Sequence, residues 1–538
     1  MAGLAATLVT SGILIAGART ATTQSVPNIA ATSPSTVSGK SALVFPGAGG
    51  KLVYKPWNRQ GDTILDFSNC GYGGGGVALP TVPVEATVAS VAGDSDDTTR
   101  IQTIIDQVAK LPPGKNGFRG AVLLKRGRYR IGAPLKIAVS GIVLRGEGSD
   151  ESGTLLYATS RTPYSLIEVS GAAGVEEVRN AARKITDSYV PVGSRSFTVE
   201  NAAGFKIGDQ VIVRRAGNAA WIHFIGMDHI VPRASDPTST KQWKPFDLSF
   251  DRVVTSVRRN RITIDAPIAC AIDEKWGGGT VIPATDSKRI EKVGIEKLRG
   301  ECVYDPAKKA KDKGKEYLSD EKHANNVVRF HFVKNAWARD LASRYLQHGI
   351  ATMERGSKWI TVQDSSSIVP ISIITGGRRY PFNISGQLCL VQRCYARDAR
   401  HAFVVGGGAT CGPNAFVDCK AEQNHATSEP HQRWSVGGLY DNVNAAMAFQ
   451  DRQAMGTGHG WAGANYVVWN GTGSVISQQP PTAENFVIGF AGKKSKGAFA
   501  RPDGWWESVG TPITPGSLYR KQLEDRLGPQ AVKNIAKG

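Results

Sequence analysis

The sequence contains no C-x-x-C pair: its seven cysteines, Cys70, Cys270, Cys302, Cys389, Cys394, Cys411 and Cys419, are scattered along 538 residues. That spacing speaks against a zinc ribbon and a thioredoxin-like site, both of which need closely paired thiols. Nucleotide-binding motifs are missing too. The GGGG run at 73–76 lacks the Lys-Ser/Thr of a P-loop and the helix that a dinucleotide fingerprint opens. Beyond residue 22 no stretch is long and apolar enough for a membrane span. Acidic residues are in deficit, 46 against 65 Lys and Arg, leaving a formal charge of +19. A field of that sign calls for an anionic partner. With no zinc-finger, helix-turn-helix or RNA-recognition signature, an acidic polysaccharide is preferred to nucleic acid.

The first 22 residues, MAGLAATLVTSGILIAGARTAT, carry an apolar stretch that ends in small residues. It resembles a secretory signal without its basic n-region. Residues 23–41, rich in Ser, Thr, Ala and Pro, read as a flexible leader. Together they predict a secreted or periplasmic protein with no stable membrane insertion after signal removal.

What the chain does have is a repeat. Ala338-Arg339-Asp340-Leu341, Val362-Gln363-Asp364-Ser365, Val391-Gln392-Arg393-Cys394, Phe416-Val417-Asp418-Cys419, Leu439-Tyr440-Asp441-Asn442 and Val468-Trp469-Asn470-Gly471 share one pattern: apolar, any, polar, small or polar. Their third positions are 24, 29, 25, 23 and 29 residues apart. A near-fixed period of this size marks a solenoid whose units bury their apolar faces only against neighbours. The units alternate like strands, and no amphipathic helix runs through each. The pattern therefore predicts an all-β right-handed parallel β-helix. Cys394 and Cys419, at the fourth position of successive units, should stack one strand spacing apart, as a disulfide or as buried thiols. The aspartates of the ladder (Asp340, Asp364, Asp418, Asp441) suit tight turns, and could alternatively hold Ca²⁺.

Around this array the reading places an N-terminal cap and first coils at 42–164, with an amphipathic capping helix in GDSDDTTRIQTIIDQVA at 93–109. The alternating segments of 165–290 depart from coil spacing and predict an inserted antiparallel β subdomain. Residues 305–322 read as a charged surface loop, 291–500 as the main coils, and 501–538 as a C-terminal segment with a Ser-capped helix. The runs GDSDDTTRIQTIIDQVA, RGAVLLKRGRYRIGAPLKI and SGIVLRGEG resemble the opening of the pectate-lyase-like superfamily of secreted bacterial β-helix proteins. The likeness extends through TGGRRYPFNISGQLCLVQRC, PHQRWSVGGLYDNV and GTGHGWAGANYVVWN. It implies the same fold and action on a polysaccharide. The superfamily also holds hydrolases, epimerases and non-catalytic adhesins, so fold alone leaves the activity open.

Breaking a uronic-acid polymer by β-elimination needs a base, a group that stabilises the enolate, and an acid for the leaving oxygen. Residues 376–461 supply these types densely, and six of the nine histidines lie from His331 onward. On this reading His401 or His431 is the base, Tyr380 the acid, and Arg433 a charge on the same strand face as His431. Arg378, Arg379, Arg400, His425, Arg452 and His459 would bind substrate. Trp434 and Trp461 suit either sugar stacking or the core. Arg400 and His425, 25 residues apart, should be neighbours on successive coils. A hydrolase would need two carboxylates about 5–10 Å apart; Glu354, Asp398, Glu422 and Glu429 are available, without a paired-Asp motif. A non-catalytic glycan-binding β-helix is the further alternative.

Overall fold

The computed structural model describes residues 39–93 and 95–537. The signal-like segment at 1–22 and most of the 23–41 leader lie outside the described residues. From Val84 to Glu507 the chain winds as a right-handed parallel β-helix, with three parallel sheets per full coil. The first sheet runs from Val84–Val88 to Trp505–Glu507. The second starts at Gly127–Ile131 and the third at Leu135–Ile137. The repeats lie in the first sheet, in the register their spacing predicts except for the fifth, which is shifted by one residue: Phe416 pairs with Tyr440 rather than Leu439. Val362 pairs with Val391, and Val391 with Phe416.

From Ile290 onward, the corner between the first and second sheets carries one residue with positive φ. Lys297, Asp340, Asp364, Arg393, Asp418, Asn442 and Asn470 all have φ between 50 and 57°. This conformation costs most residues about 1–2 kcal/mol, and least for Asn and Asp, whose short side chains bond locally. The ladder residue of the fifth repeat is thus Asn442, not Asp441. The sequence Asp441-Asn442 offers two turn-formers in a row, and pairing decides between them: Val417 faces Asp441, and Asp441 faces Trp469. Protein partners hold several of the carboxylates. Asp364 binds Arg393 at 2.7 Å and Asp418 binds Arg520. Asp441 accepts from the Ser517 hydroxyl at 2.6 Å.

Inward residues of all three sheets form one continuous core, in which Val362, Val391, Phe416, Tyr440, Val468 and Val487 share a column. The helix Thr98–Lys110 closes its N-terminal end with Ile101, Ile105 and Val108. All seven cysteines are buried and unbridged; the Cys394 and Cys419 thiols stack on each other. A second core covers the outer face of the first sheet. There Leu390, Val417, Leu439, Trp469 and Ile488 pack against Ile64 and Phe67, the insert, and the C-terminal helix Leu518–Leu527.

The insert occupies 171–289, because Ile167–Ser170 pairs with Leu135–Ile137 and Asn326–His331 in the third sheet. Its main sheet is antiparallel, centred on Gln210–Arg215 between Leu248–Arg258 and Gly279–Thr285. A buried ionic anchor ties it to the solenoid: Asp251 binds Lys358 at 2.8 Å and Arg289 at 2.7 Å. The charged loop at 305–322 contains a hairpin, Lys309–Asp312 with Lys315–Leu318, turning on Lys313-Gly314. An X-Gly pair with both residues at positive φ is the turn that matches strand twist.

Glycines in the first sheet make room for aromatics on the next coil. A Cβ added at Gly294 would lie 2.3 Å from the Trp337 ring, and one at Gly438 2.2 Å from Tyr466. Gly294→Ala and Gly438→Ala should each destabilise by about 1–3 kcal/mol through overpacking. Chemical denaturation checks this, and unchanged stability would mean that these columns are loosely packed.

Candidate active site on the third sheet

Because other segments cover the first sheet, the third sheet supplies the open face. Glu168, Arg329, Thr352 and Asn383 stand in one outward column on successive strands. With Asn326, Glu354 and Tyr380 they line a cleft of about 440 Å³. Arg329 binds Glu354 at 3.0 Å within it.

Tyr380 leads into Phe382–Ile384, and His401 into Phe403–Val405 on the next coil, which sets their rings 5.2 Å apart. The following coil brings Glu429 and His431. Arg452 enters from the loop beyond Asn444–Phe449. The Glu429 carboxylate is the hub. Its Oε1 lies 3.1 Å from His431 Nδ1 and 3.5 Å from His401 Nδ1, and accepts from Arg452 Nη1. Its Oε2 accepts from the Thr427 hydroxyl at 2.7 Å. On the far side of the His431 ring, Nε2 lies 3.2 Å from the Tyr380 hydroxyl, to which Arg400 donates at 2.9 Å.

The hydrogen-bond inventory sets the tautomer. Arg452 Nη1 has two protons, and Glu429 Oε1 and the His431 carbonyl, the latter at 2.7 Å, accept them. His431 Nδ1 therefore donates to Glu429, and Nε2 accepts from Tyr380. Burial lowers the basicity of His431, against the Glu429 bond, so the ring is neutral near pH 7. Burial pushes His401 and His459 down to about 3, with Arg452 adding to the effect at His459. Burial also disfavours charge on Glu429, but His401, Arg452 and His431 outweigh it and hold the carboxyl well below its usual range. Tyr380 is pushed up to about 12 by burial, against the pull of Arg400.

His401, Glu429 and His431 place ligand atoms within 4.8 Å of one another. A cation there would meet the Arg452 guanidinium on the same oxygen, so the donor set fits a charge-assisted hydrogen-bond network better than a metal. Exposed His223, Asp228 and His229 on the insert form another such group.

Of the residues singled out in the sequence, the fold gathers Tyr380, Arg400, His401, His431, Arg452 and His459. It sends the others elsewhere. Arg433 is not on a strand with His431: Arg433 and Trp434 have φ of 49 and 56°, which turns the chain, and Arg433 donates to the Thr457 carbonyl. Trp434 is fully buried against Trp221, and Trp461 lines a different cleft. Arg379 is buried among the carbonyls of Ser372, Leu318 and Asp398, and Arg378 pairs with Glu321. Arg400 and His425 are backbone neighbours through adjacent hydrogen bonds, yet His425 turns to Arg379 and Tyr317. The hub role of Glu429 went unseen, although Glu429-Pro430-His431 alternates like a strand. Arg329 and Glu168 carried no local signal at all.

No family model matches the chain, and no curated protein matches it in sequence. Solved structures that match include phage tailspikes. The Gp54 tailspike of Acinetobacter baumannii bacteriophage AP22, solved with A. baumannii capsular saccharide, is 11% identical; the match covers 76% of this chain and 56% of that one, with a TM-score of 0.39. The tailspike gp49 of Pseudomonas phage LKA1 is 14% identical over 79% of this chain and 72% of that one, with a TM-score of 0.38. The tailspike of E. coli bacteriophage HK620, in complex with pentasaccharide, is 10% identical over 84% and 61%, again at 0.38. The chain thus spans little more than half of the first of these proteins. At such values the likenesses add no functional argument, and the fold rests on the strand pairing described above.

The imidazoles make stability depend on pH. An ordinary histidine titrates near 6.5, whereas His401 and His459 titrate at about 3 in the fold. Between those values the unfolded chain binds more protons, so stability falls as pH drops from about 7 to 4. Thermal midpoints should decline across that range, and less steeply in a His401→Gln/His459→Gln double variant. An equal slope in that variant would mean that both rings are charged in the fold.

Proposed function

We propose that this protein is a polysaccharide lyase that cleaves an anionic glycan by β-elimination in the third-sheet cleft. One observation carries the reading: Tyr380 lines the cleft, and its hydroxyl lies between Arg400 at 2.9 Å and His431 Nε2 at 3.2 Å, with Glu429 behind the imidazole. Arg329 in the cleft and Arg400, which donates to the Tyr380 hydroxyl, would hold the uronate carboxylate and neutralise the enolate. The Tyr380 oxygen would take the proton α to the carboxylate while its own passes to His431 Nε2. Arg400 lowers the cost of the phenolate, and Glu429 stabilises the imidazolium. As the carbon–carbon double bond forms, the C–O bond to the leaving sugar breaks, Tyr380 gives the abstracted proton to that oxygen, and His431 hands its own proton back to Tyr380. Base and acid are then one residue with a relay behind it, a simpler division than separate histidine and tyrosine roles. Secretion and a salt-sensitive attraction to polyanions, from the +19 charge, belong to the same reading.

A second reading draws on Glu168 and Glu354, which line the same cleft and would supply the two carboxylates of a glycoside hydrolase, Glu354 after release from Arg329. Purified protein incubated with a panel of acidic polysaccharides separates the two. Ultraviolet absorbance from an unsaturated uronate supports the lyase; new reducing ends without it support the hydrolase. Neither, with retention on the polymer, leaves a binding protein. For the lyase, Tyr380→Phe and His431→Ala should each lose about 10²–10⁴ in kcat. The Tyr380→Phe thermal midpoint should stay near that of the parent, and Arg433→Ala should keep its activity. The pH profile should have an acid limb below the ordinary histidine value, because His431 must be neutral to accept the proton. Full activity in Tyr380→Phe would overturn the assignment.

A further inference from the structure

A second cleft, larger than the one on the third sheet, lies elsewhere in the fold. Between the insert and the last coils lies an open cleft of about 890 Å³, walled by Trp57, Tyr189, Phe224, Trp276 and Trp461. Arg215 lines it from the end of the strand Gln210–Arg215. This side chain is 2% exposed, and its Nε and Nη1 have no hydrogen-bond partner. Its guanidinium lies 4.1 Å over the Trp221 ring, and it forms no ion pair among the described residues. The other deeply buried guanidiniums here are matched: Arg289 has Asp251 and Asp286, and Arg252 donates to four backbone carbonyls. A buried cation left without acceptors is expensive unless a ligand supplies them. Lys275 and Arg501 add positive charge at the lining, Arg501 while paired with Asp451 at 2.8 Å, and Asp62 and Asp273 add negative charge. Phe224 is 55% exposed although its ring packs, tilted, 5.0 Å from that of Trp276.

We infer that this cleft is a second, non-catalytic site for an acidic sugar residue, with its carboxylate on Arg215 and its pyranose face on the aromatic walls. A planar guanidinium fork matches a carboxylate with two parallel hydrogen bonds. Aromatic faces flanked by a few polar groups are the usual lining of a small-molecule site and suit the C–H face of a sugar ring. The choice of an acidic glycan rests on the proposed function; the site itself does not, since it shares no lining residue with the third-sheet cleft. Two sites on one chain would hold a long polymer at two points and raise its effective concentration at the catalytic one.

The test is a tryptophan-fluorescence titration of the full chain at fixed ionic strength, since Trp57, Trp276 and Trp461 line the cleft. The probes are tri-galacturonate and glucuronate, with maltotriose as the neutral control and sodium sulfate as the bare-anion control. Saturable quenching by an acidic sugar but not by maltotriose is expected. Affinity should fall at least about tenfold in Arg215→Gln, the loss of one charged contact. Phe224→Ala, an exposed position that leaves the fold intact, should weaken it severalfold and keeps the test open if Arg215→Gln does not fold. Turnover of a short soluble substrate should be unchanged in Phe224→Ala, so failure of the lyase reading would leave this binding result standing. No saturable response in the parent chain, undiminished affinity in folded variants, or sulfate binding as tightly as the sugars would each overturn the inference.

Discussion

From Ile290 onward, each coil of this solenoid leaves its first sheet and enters the second through one residue with positive φ. That corner holds the strands in register, because an extra residue there would move every later side chain to the opposite face. The polar ladder is the sequence trace of this need. Asn and Asp adopt the corner at low cost, and Arg393 is kept there by its ion pair with Asp364. Once the corners align, columns follow: apolar side chains inward, and outward residues from distant parts of the chain set side by side. Glu168, Arg329, Thr352 and Asn383 are neighbours for no other reason.

The placement of the cleft follows from what covers the scaffold. The outer face of the first sheet is apolar and needs shielding, which the insert, the segment around Phe67 and the C-terminal helix provide. Asp251, Lys358 and Arg289 lock this arrangement with buried charges. Removing one partner of such a set costs much more than exchanging all of them for apolar groups, so the anchor specifies position more than it adds stability. The third sheet is thereby left facing solvent with its polar column.

Most of the architecture was legible in the chain. Coil spacing located the first-sheet strands, alternation located the insert, and Ile101, Ile105 and Val108 marked the capping helix. The site was legible only in composition. Crowding of His, Arg and Tyr in 376–461 pointed to the right region, but the pairing of His431 with Arg433 assumed an extended segment. Two successive residues at positive φ turn the chain there, and no local pattern announces that turn. Trp434 shows the same limit: whether an indole faces sugar or core depends on what packs over it, here Trp221 of the insert.

By itself, then, the sequence determined the class of fold, the period of its coils and the kinds of side chain available. Those properties depend on short-range preferences: alternation, turn propensity and charge. Tertiary structure decided which of those side chains meet. Glu429 became a hub because Arg452 approaches from the next coil and Tyr380 from an earlier one. Arg215 became a buried, unmatched cation because the insert folds back over the last coils. Both outcomes depend on contacts between residues far apart in sequence, and burial, which sets their charge states, exists only once those contacts have formed.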